Sequence, residues 1–133
     1  MIHVIVVDDQ ALIRGALSAL IDLEDDMEVV AQAGNGHEAL AAIEAHTSAY
    51  PGSEVPLVVI MDVEMPVMDG ISTATALKER GSAARVLMVT TFGRPGYVQR
   101  ALDAGALGFV VKDAPAAQLL DAIRRTSQGL RVV

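Results

Sequence analysis

Residues 57–70 read LVVIMDVEMPVMDG, and this stretch decides the fold class of the chain. It opens with a run of apolar residues that do not alternate with polar ones, which is typical of a strand buried on both faces of a parallel sheet. Asp62 follows directly where the strand ends, and the loop after it leads to a helix predicted over residues 70–80, ending before Gly81. A buried strand, an acidic residue and a helix in this order predict one unit of an α/β sheet.

The same alternation of apolar runs and helical segments recurs along the whole chain. It predicts an α/β fold in which a parallel sheet carries helices on both faces. The predicted strands are Ile2–Val7, 29–33, Leu57–Met61, 86–90 and Gly108–Val111. The predicted helices are 11–23, 37–49, 70–80, 96–104 and a fifth that begins near Pro115.

The first predicted helix has an apolar face. Its apolar side chains recur three and four residues apart, so we expect them to pack against the sheet. They are Leu12, Ile13, Ala16, Leu17, Leu20 and Ile21.

Length and composition narrow the class of protein. A chain of 133 residues fits one domain, and folding at this size buries roughly two-thirds of the surface of the unfolded chain. The absence of cysteine excludes disulfides and thiolate metal sites and fits a reducing cytoplasm. No apolar run approaches the roughly 20 residues of a membrane span, and the start lacks the pattern of a signal peptide. We therefore expect a soluble, cytoplasmic protein without a membrane partner.

The charge of the chain argues against binding to nucleic acid. The formal net charge is −7, which repels a phosphate backbone. Arg124 and Arg125 are adjacent, but they lie near the end of a predicted helix, where cations complement the helix dipole. The segment GNGHEA at residues 34–39 matches a permissive dinucleotide fingerprint, yet such a fingerprint normally follows the first strand, so we interpret it as a tight turn.

Polar side chains follow the ends of four predicted strands. They are Asp8 and Asp9 after the first, Asp62 after the third, Thr90 and Thr91 at the fourth, and Lys112 and Asp113 after the fifth. Because ligands of an open α/β sheet bind outside the carboxyl ends of the strands, we expect carboxylates, a hydroxyl and an ammonium group to converge there.

Clustered carboxylates repel one another, and either a raised pKa or a bound hard cation relieves the repulsion. Mg²⁺ fits best, since it is commonly held by one or two carboxylates together with phosphate oxygens. Phosphoryl transfer needs its charge neutralised, which the metal, Lys112 and the Thr90 hydroxyl could do, while a carboxylate accepts the group. Asp62 is the natural acceptor because it stands alone at its strand end.

These residues resemble the receiver domains of two-component signalling. The motifs that carry the resemblance are Asp8-Asp9, Met61-Asp62, Met65-Pro66, Asp69-Gly70, Thr90, Ala104-Gly105-Ala106 and Gly108-Phe109-Val110-Val111-Lys112. They extend in order over essentially the whole chain. The resemblance implies a doubly wound, flavodoxin-like receiver fold with five helices and five parallel strands in the order 2-1-3-4-5.

The resemblance also implies a role for each site residue. Asp62 takes a phosphoryl group from a phosphohistidine of a sensor histidine kinase, and Lys112 contacts that group. Asp9, Asp62 and the backbone carbonyl of Glu64 bind Mg²⁺, with Asp8 assisting through water. Thr90 and Phe109 form a paired switch. Such a domain is a phosphoacceptor that assists its own phosphorylation and dephosphorylation rather than an enzyme in the ordinary sense.

Two further motifs are similar to receivers of the NarL/FixJ class of transcription regulators. They are Lys112-Asp113-Ala114-Pro115 and the ending Gly129-Leu130-Arg131-Val132-Val133. The similarity implies a receiver domain over residues 1–133, followed in a longer protein by a helix-turn-helix domain that binds DNA, although a natural stand-alone receiver is also compatible. It further implies homodimerisation on phosphorylation, through strand five with helices four and five, or through helices one and five.

Two other functions are compatible with parts of the pattern. A magnesium-dependent phosphohydrolase would use Asp62 as a transient nucleophile, but such enzymes typically place a second aspartate two residues later, where this chain has Glu64, and need a substrate-covering cap. A receiver that only binds proteins would not need the phosphorylation residues, and all of them are present.

Overall fold

A computed structural model describes residues 1–91 and 96–132 of the chain. Within these residues the elements are β1 (Ile2–Val7), α1 (Ala11–Asp22), β2 (Met27–Ala33), α2 (Gly36–Ala49), β3 (Leu57–Met61), α3 (Gly70–Glu79), β4 (Arg85–Thr90), α4 (Tyr97–Asp103), β5 (Gly108–Val111) and α5 (Ala116–Ser127). The strands form one parallel sheet in the order β2-β1-β3-β4-β5. This confirms the predicted fold class and strand order. None of the helices in the described residues has the length and apolar character needed to cross a membrane.

The predicted boundaries differ from the observed ones by one or two residues, which is normal for element ends. β2 begins at Met27 and not at residue 29, because the exposed Glu28 interrupts an apolar run whose first member is buried. α4 begins at Tyr97, since Gly96 is its N-cap with a φ of 86°. α1 ends at Asp22, α3 at Glu79 and α4 at Asp103, and α5 begins at Ala116.

The sheet separates two apolar clusters, and β1 contributes to both of them. Ile5 and Val7 belong to the cluster that α2, α3 and α4 cover, while Val4 and Val6 belong to the cluster under α1 and α5. Alternate residues of a strand point to opposite faces, so a strand with a core on each side is apolar throughout. This is why the sheet was readable from apolar runs alone.

The predicted apolar face of α1 is partly wrong. Ile21 is fully buried and Leu17 packs on the cluster beneath, but Leu12 is 87% exposed. The buried stripe instead includes Ser18, whose hydroxyl donates to the carbonyl of Arg14 at 2.8 Å. A polar residue that satisfies its hydroxyl within its own helix can lie on the buried face. A prediction from apolar residues alone therefore placed Leu12 on the buried face and left Ser18 out of it.

The two adjacent arginines near the end of α5 are paired with acidic side chains. Arg124 bonds Asp26 at 2.8 Å and Glu24 at 2.7 Å, and Arg125 bonds Asp121 at 2.9 Å, one turn back along the helix. The carboxylates of Asp26 and Glu24 offset the charge of Arg124. Both arginines thus have acidic partners within the domain itself.

The chain after α5 turns back along the outer edge of β5. Gly129 makes the turn with a φ of 80°. The amide of Phe109 then donates to the carbonyl of Val132 at 2.8 Å, and the amide of Val132 donates to the carbonyl of Leu107 at 2.9 Å. A Cβ at Gly108 would lie 2.8 Å from the Val132 carbonyl oxygen, so only glycine allows this close approach. Val133, the last residue of the ending used in the sequence comparison, lies outside the described residues.

Two histidines, His3 buried and His46 half-buried, form a pair at the amino end of the sheet, opposite the polar strand ends. The Nδ1 of His3 in β1 lies 2.8 Å from the Nε2 of His46 in α2, and the ring of Tyr50 packs on both. One of the two nitrogens must carry the proton of this bond and the other must accept it. Burial and the neighbouring His3 lower the pKa of His46 below its usual value.

The lowered pKa of His46 predicts a loss of stability in acid. The unfolded chain binds the proton more tightly than the folded one, so the contribution of His46 is full above the unfolded pKa of about 6.5 and is lost as the pH falls through the lower folded pKa. Urea unfolding at pH 7.5 and at pH values below 6 measures this loss. His46→Gln should show a smaller loss than wild type, while His37→Gln, on the exposed face of the same helix, should keep the wild-type dependence. Equal losses in wild type and His46→Gln would contradict the prediction.

Candidate functional site

The carboxyl ends of four strands form one wall of a cavity of about 430 Å³. The order of the sheet places β1, β3, β4 and β5 side by side in succession, so the residues after them meet at one edge. The residues that line the cavity are Asp9, Gln10, Asp62, Glu64, Met65, Pro66, Thr90, Thr91 and Lys112. The polar strand ends singled out in the sequence therefore share one open site, with Asp8 just beneath it.

Three carboxylates are close enough to share a cation. One oxygen each of Asp8, Asp9 and Asp62 lies within 4.8 Å of the others. Asp8 and Asp62 are buried, while Asp9 is exposed. Oxygen-only donors of this kind suit a hard cation such as Mg²⁺ and do not suit the metals that prefer thiolate or imidazole. The residues present thus fit the predicted metal.

Lys112 bridges two of these carboxylates. Its ammonium lies 2.6 Å from Oδ2 of Asp8 and 3.0 Å from Oδ2 of Asp62. Burial opposes the charge of Lys112, but the hydrogen bonds to Asp8 and Asp62 outweigh it, and the pKa of Lys112 is raised above its usual value. Lys112 therefore stays protonated, and this one ammonium group cannot neutralise three carboxylates.

The pKa of Asp62 is shifted mainly by its burial. Burial raises the pKa of its carboxyl group, the hydrogen bond from Lys112 lowers it, and the charge of Asp8 raises it again, with a net increase above the usual value. A raised pKa means that the folded protein disfavours the charged form of this carboxylate. A bound cation would remove that penalty.

The backbone around Asp8 is fixed by a side chain that the sequence analysis missed. Nη1 of Arg14, in the second turn of α1, donates to the carbonyl of Asp8 at 2.8 Å. The amide of Gln10 donates to Oδ1 of Asp8 at 2.9 Å. Arg14 is half-buried in the structure. The sequence pattern does not distinguish it from an ordinary surface residue of a helix, which is why the analysis missed it.

The loop from β3 to α3 holds the other side of the cavity. The amide of Gly70 donates to the carbonyl of Val63 at 2.8 Å, and Asp69 caps α3 by accepting from the amide of Ser72 at 2.7 Å. Gly70 packs so closely that a Cβ there would lie 2.2 Å from the backbone oxygen of Asp62. The start of α3 therefore packs directly against the backbone of Asp62.

The glycine-rich segment at residues 34–39 supports this loop from behind. Asn35 caps α2 by accepting from the amide of Glu38, and the Glu38 carboxylate accepts from the amide of Gly34 and the side chain of Asn35. The amide of Gly36 donates to the carbonyl of Met68 at 3.1 Å. The structure thus confirms a tight capped turn, whose glycine allows α2 to approach the loop after β3.

Thr90 and Phe109 lie on neighbouring strands and face the same side of the sheet. Thr90 is buried at the end of β4 and lines the cavity. Phe109 pairs in register with Met88, and Met88 faces the same side of the sheet as Thr90, two residues later in β4. The Phe109 side chain is partly buried against the cluster under α2, α3 and α4. The amide of Lys112 donates to the carbonyl of Thr90 at 2.7 Å, which ties β5 to the end of β4.

Tyr97 connects the first turn of α4 to the same loop, a contact that the sequence analysis missed. Its hydroxyl donates to the carboxylate of Glu64, while its ring packs on the cluster that also holds Phe109. The side chain of Glu64 is therefore directed toward α4. Its backbone carbonyl remains the part of Glu64 that the sequence resemblance assigns to the metal.

Comparison with known proteins agrees with this geometry. The model of the response regulator receiver domain matches residues 4–124. The transcriptional regulatory protein YvfU of Bacillus subtilis is 46% identical over 132 residues, which cover 99% of this chain and 62% of that protein. The transcriptional regulatory protein DesR of the same organism is 40% identical, with 99% of this chain and 61% of that protein covered. The chain thus spans about three-fifths of the length of these curated relatives.

A solved structure gives the same answer at the level of the fold. A DNA-binding response regulator of the LuxR family from Staphylococcus aureus superposes with a TM-score of 0.84 at 31% identity, with 96% of this chain and 99% of that chain covered. These relatives confirm the resemblance to receivers of transcription regulators that the motifs carry. The chain belongs to the response regulator receiver domain family.

Proposed function

We propose that this chain is a cytoplasmic signalling switch that accepts a phosphoryl group on Asp62 from a sensor histidine kinase. The observation that carries the proposal is the placement of Lys112, which bonds the Asp62 carboxylate at 3.0 Å on the wall of an open cavity. An ammonium group beside the acceptor oxygen can balance the negative charge of an arriving phosphoryl group.

The chemistry of the step follows from the groups that line the cavity. An Oδ of Asp62 attacks the phosphorus of the phosphohistidine, an O–P bond forms as the N–P bond breaks, and the electron pair returns to the imidazole of the kinase. The Lys112 ammonium and the Thr90 hydroxyl then donate hydrogen bonds to the phosphoryl oxygens. Both groups already line the cavity.

Asp9, Asp62 and the backbone carbonyl of Glu64 would hold Mg²⁺, with Asp8 acting through water. Both carboxylate oxygens of Asp8 already have partners, Lys112 at 2.6 Å and the amide of Gln10 at 2.9 Å, which supports an indirect role for Asp8. When bound, the ion supplies charge neutralisation at the phosphoryl oxygens.

Removal of Asp9 should weaken Mg²⁺ binding strongly. We expect millimolar or somewhat tighter affinity in wild type, since few protein ligands replace water in an open site. Asp9→Ala should lose most of this affinity, as followed by NMR titration of backbone amides. Asp25→Ala, which removes an exposed carboxylate from the loop between α1 and β2, should bind like wild type. Equal affinity in wild type and Asp9→Ala would exclude Asp9 from the metal site.

The proposed output is a change in self-association. A phosphoryl group adds about 1.5 to 2 negative charges beside Thr90, which draws the hydroxyl toward it. The space that Thr90 leaves favours an inward position of Phe109, so a charge at the strand ends changes packing on an outer face. Homodimerisation through β5 with α4 and α5, or through α1 and α5, would pair helix-turn-helix domains on DNA in a longer protein of which residues 1–133 form the receiver domain.

Intact mass and sedimentation of the same sample test the proposal. After incubation with acetyl phosphate and Mg²⁺, we expect a stable gain of one phosphoryl group and a larger dimer fraction than in the untreated chain. Continuous release of phosphate without a stable adduct would favour a phosphohydrolase instead. A stable adduct with unchanged sedimentation across the concentrations of the dimer transition would remove dimerisation from the proposed output.

A further inference from the structure

Asp9 contributes an exposed carboxylate to the site, and its own contacts do not fix its direction. Within residues 1–91 and 96–132, no hydrogen bond or ion pair holds the Asp9 side chain. Asp8, its neighbour, is held by both Lys112 and the amide of Gln10. The direction in which Asp9 leaves the strand therefore depends on the backbone between the two residues.

Arg14 forms a hydrogen bond with the backbone between Asp8 and Asp9. Its Nη1 donates to the carbonyl oxygen of Asp8 at 2.8 Å, and this carbonyl belongs to the same planar peptide unit as the amide of Asp9. A bond from a guanidinium to a carbonyl is charge-assisted and stronger than a neutral one. Fixing this peptide plane fixes the position of the Asp9 Cα and limits where its carboxylate can reach.

We propose that Arg14 is a positioning residue for the metal site: it holds the Asp8–Asp9 peptide so that the Asp9 carboxylate faces the cavity. The proposal rests on the proposed function for the role of Asp9 toward Mg²⁺. Arg14 touches neither the phosphoryl group nor the ion, and it acts through Asp9. Partners of this kind behind a metal ligand typically change affinity by tenfold or more when removed.

Two other roles for Arg14 predict different results. As a cation close to the site, Arg14 would repel Mg²⁺, so its removal would tighten binding. As an anchor for α1, it would matter for stability alone, yet α1 is already held by buried Ile21 and by Leu17 on the core. If Arg14 positions Asp9, its removal should weaken Mg²⁺ binding even though a positive charge is lost. Relief of electrostatic repulsion would instead strengthen Mg²⁺ binding.

The test compares Arg14→Met, Arg14→Lys and Arg80→Met with wild type. Arg80 is exposed at the end of α3, so Arg80→Met removes the same charge away from the Asp8–Asp9 peptide. We expect about tenfold weaker Mg²⁺ binding in Arg14→Met, most of the affinity restored in Arg14→Lys, which keeps a charged donor, and wild-type affinity in Arg80→Met. Unchanged or tighter binding in Arg14→Met would overturn the proposal.

A metal-free measurement separates this proposal from the proposed function. In Arg14→Met without Mg²⁺, the backbone amides of Asp9 and Gln10 should become more mobile in ¹⁵N relaxation, while those of β1 keep their order. This readout holds even if Asp9→Ala shows that Asp9 does not bind the ion, which would count against the proposed metal site only. Unchanged relaxation at Asp9 would show that Arg14 does not fix the peptide.

Discussion

Asp62→Asn is expected to abolish the incorporation of a phosphoryl group while the fold is preserved. The amide has nearly the shape of the carboxylate, but it carries no charge and is a far weaker nucleophile. Intact mass after incubation with acetyl phosphate and Mg²⁺ should show no adduct in this variant. Asp113→Asn, one residue beyond Lys112 on an exposed carboxylate, is the matched control and should be phosphorylated like wild type. A wild-type rate of adduct formation in Asp62→Asn would place the acceptor elsewhere.

The same substitution should slightly stabilise the metal-free protein at neutral pH. Burial raises the pKa of Asp62 in the folded state, so its contribution to stability is full below the unfolded pKa and is lost as the pH rises through the folded pKa. At neutral pH the charged carboxylate is therefore a net cost, and the neutral amide removes it. We expect Lys112 to keep its bond to Asp8, which is 2.6 Å long in the wild-type chain. Urea unfolding without Mg²⁺ measures the change, and a clear loss of stability would contradict this reasoning.

Gly70→Ala is expected to destabilise the protein by about 3 kcal/mol. The added methyl group would lie 2.2 Å from the carbonyl oxygen of Asp62, and this oxygen belongs to the backbone and cannot rotate away. Either α3 or the end of β3 must move, and Asp62 moves with them. Chemical unfolding should show the loss, and the Mg²⁺ affinity of the folded fraction should fall as well.

Gly15→Ala is the matched control for the same change of side chain. Gly15 lies within α1, and nothing comes within 4 Å of a Cβ placed there. Alanine in a helix interior is favoured over glycine by about 1 kcal/mol, so this variant should be more stable than wild type. If Gly70→Ala were as stable as Gly15→Ala, the loop after β3 would have to be free to shift away from Asp62.

The sequence predicted the sheet well because its strands are buried on both faces. Runs such as residues 57–61 are apolar without interruption, and such runs have few other structures open to them in a chain of this length. The rule that parallel strands end at one edge then brought Asp8, Asp62, Thr90 and Lys112 together without any knowledge of side-chain geometry. The structure brings the same residues to one cavity and its floor.

Contacts that cross from one element to another were not predictable in this way. Arg14 reaches from α1 to the end of β1, and Tyr97 reaches from α4 to the loop after β3. Neither contact leaves a periodic signal, because each depends on the length and direction of one side chain. The predicted buried face of α1 was partly wrong for a related reason. Ser18 satisfies its hydroxyl within the helix, and a pattern of apolar residues does not include it.

The backbone hydrogen bonds between β5 and Val132 connect the end of the described chain to the strand that leads to Lys112. Lys112 stands at one end of this strand and Phe109 lies three residues back, about 10 Å along an extended chain. Near that second position the strand is joined to Val132, because the amide of Phe109 donates to the Val132 carbonyl and the amide of Val132 donates to the Leu107 carbonyl. We therefore expect a displacement of β5 at Lys112 to be transmitted along the strand to Val132. The position of Val132 should then follow that of Lys112 through backbone hydrogen bonds, in addition to any change in the packing of Phe109.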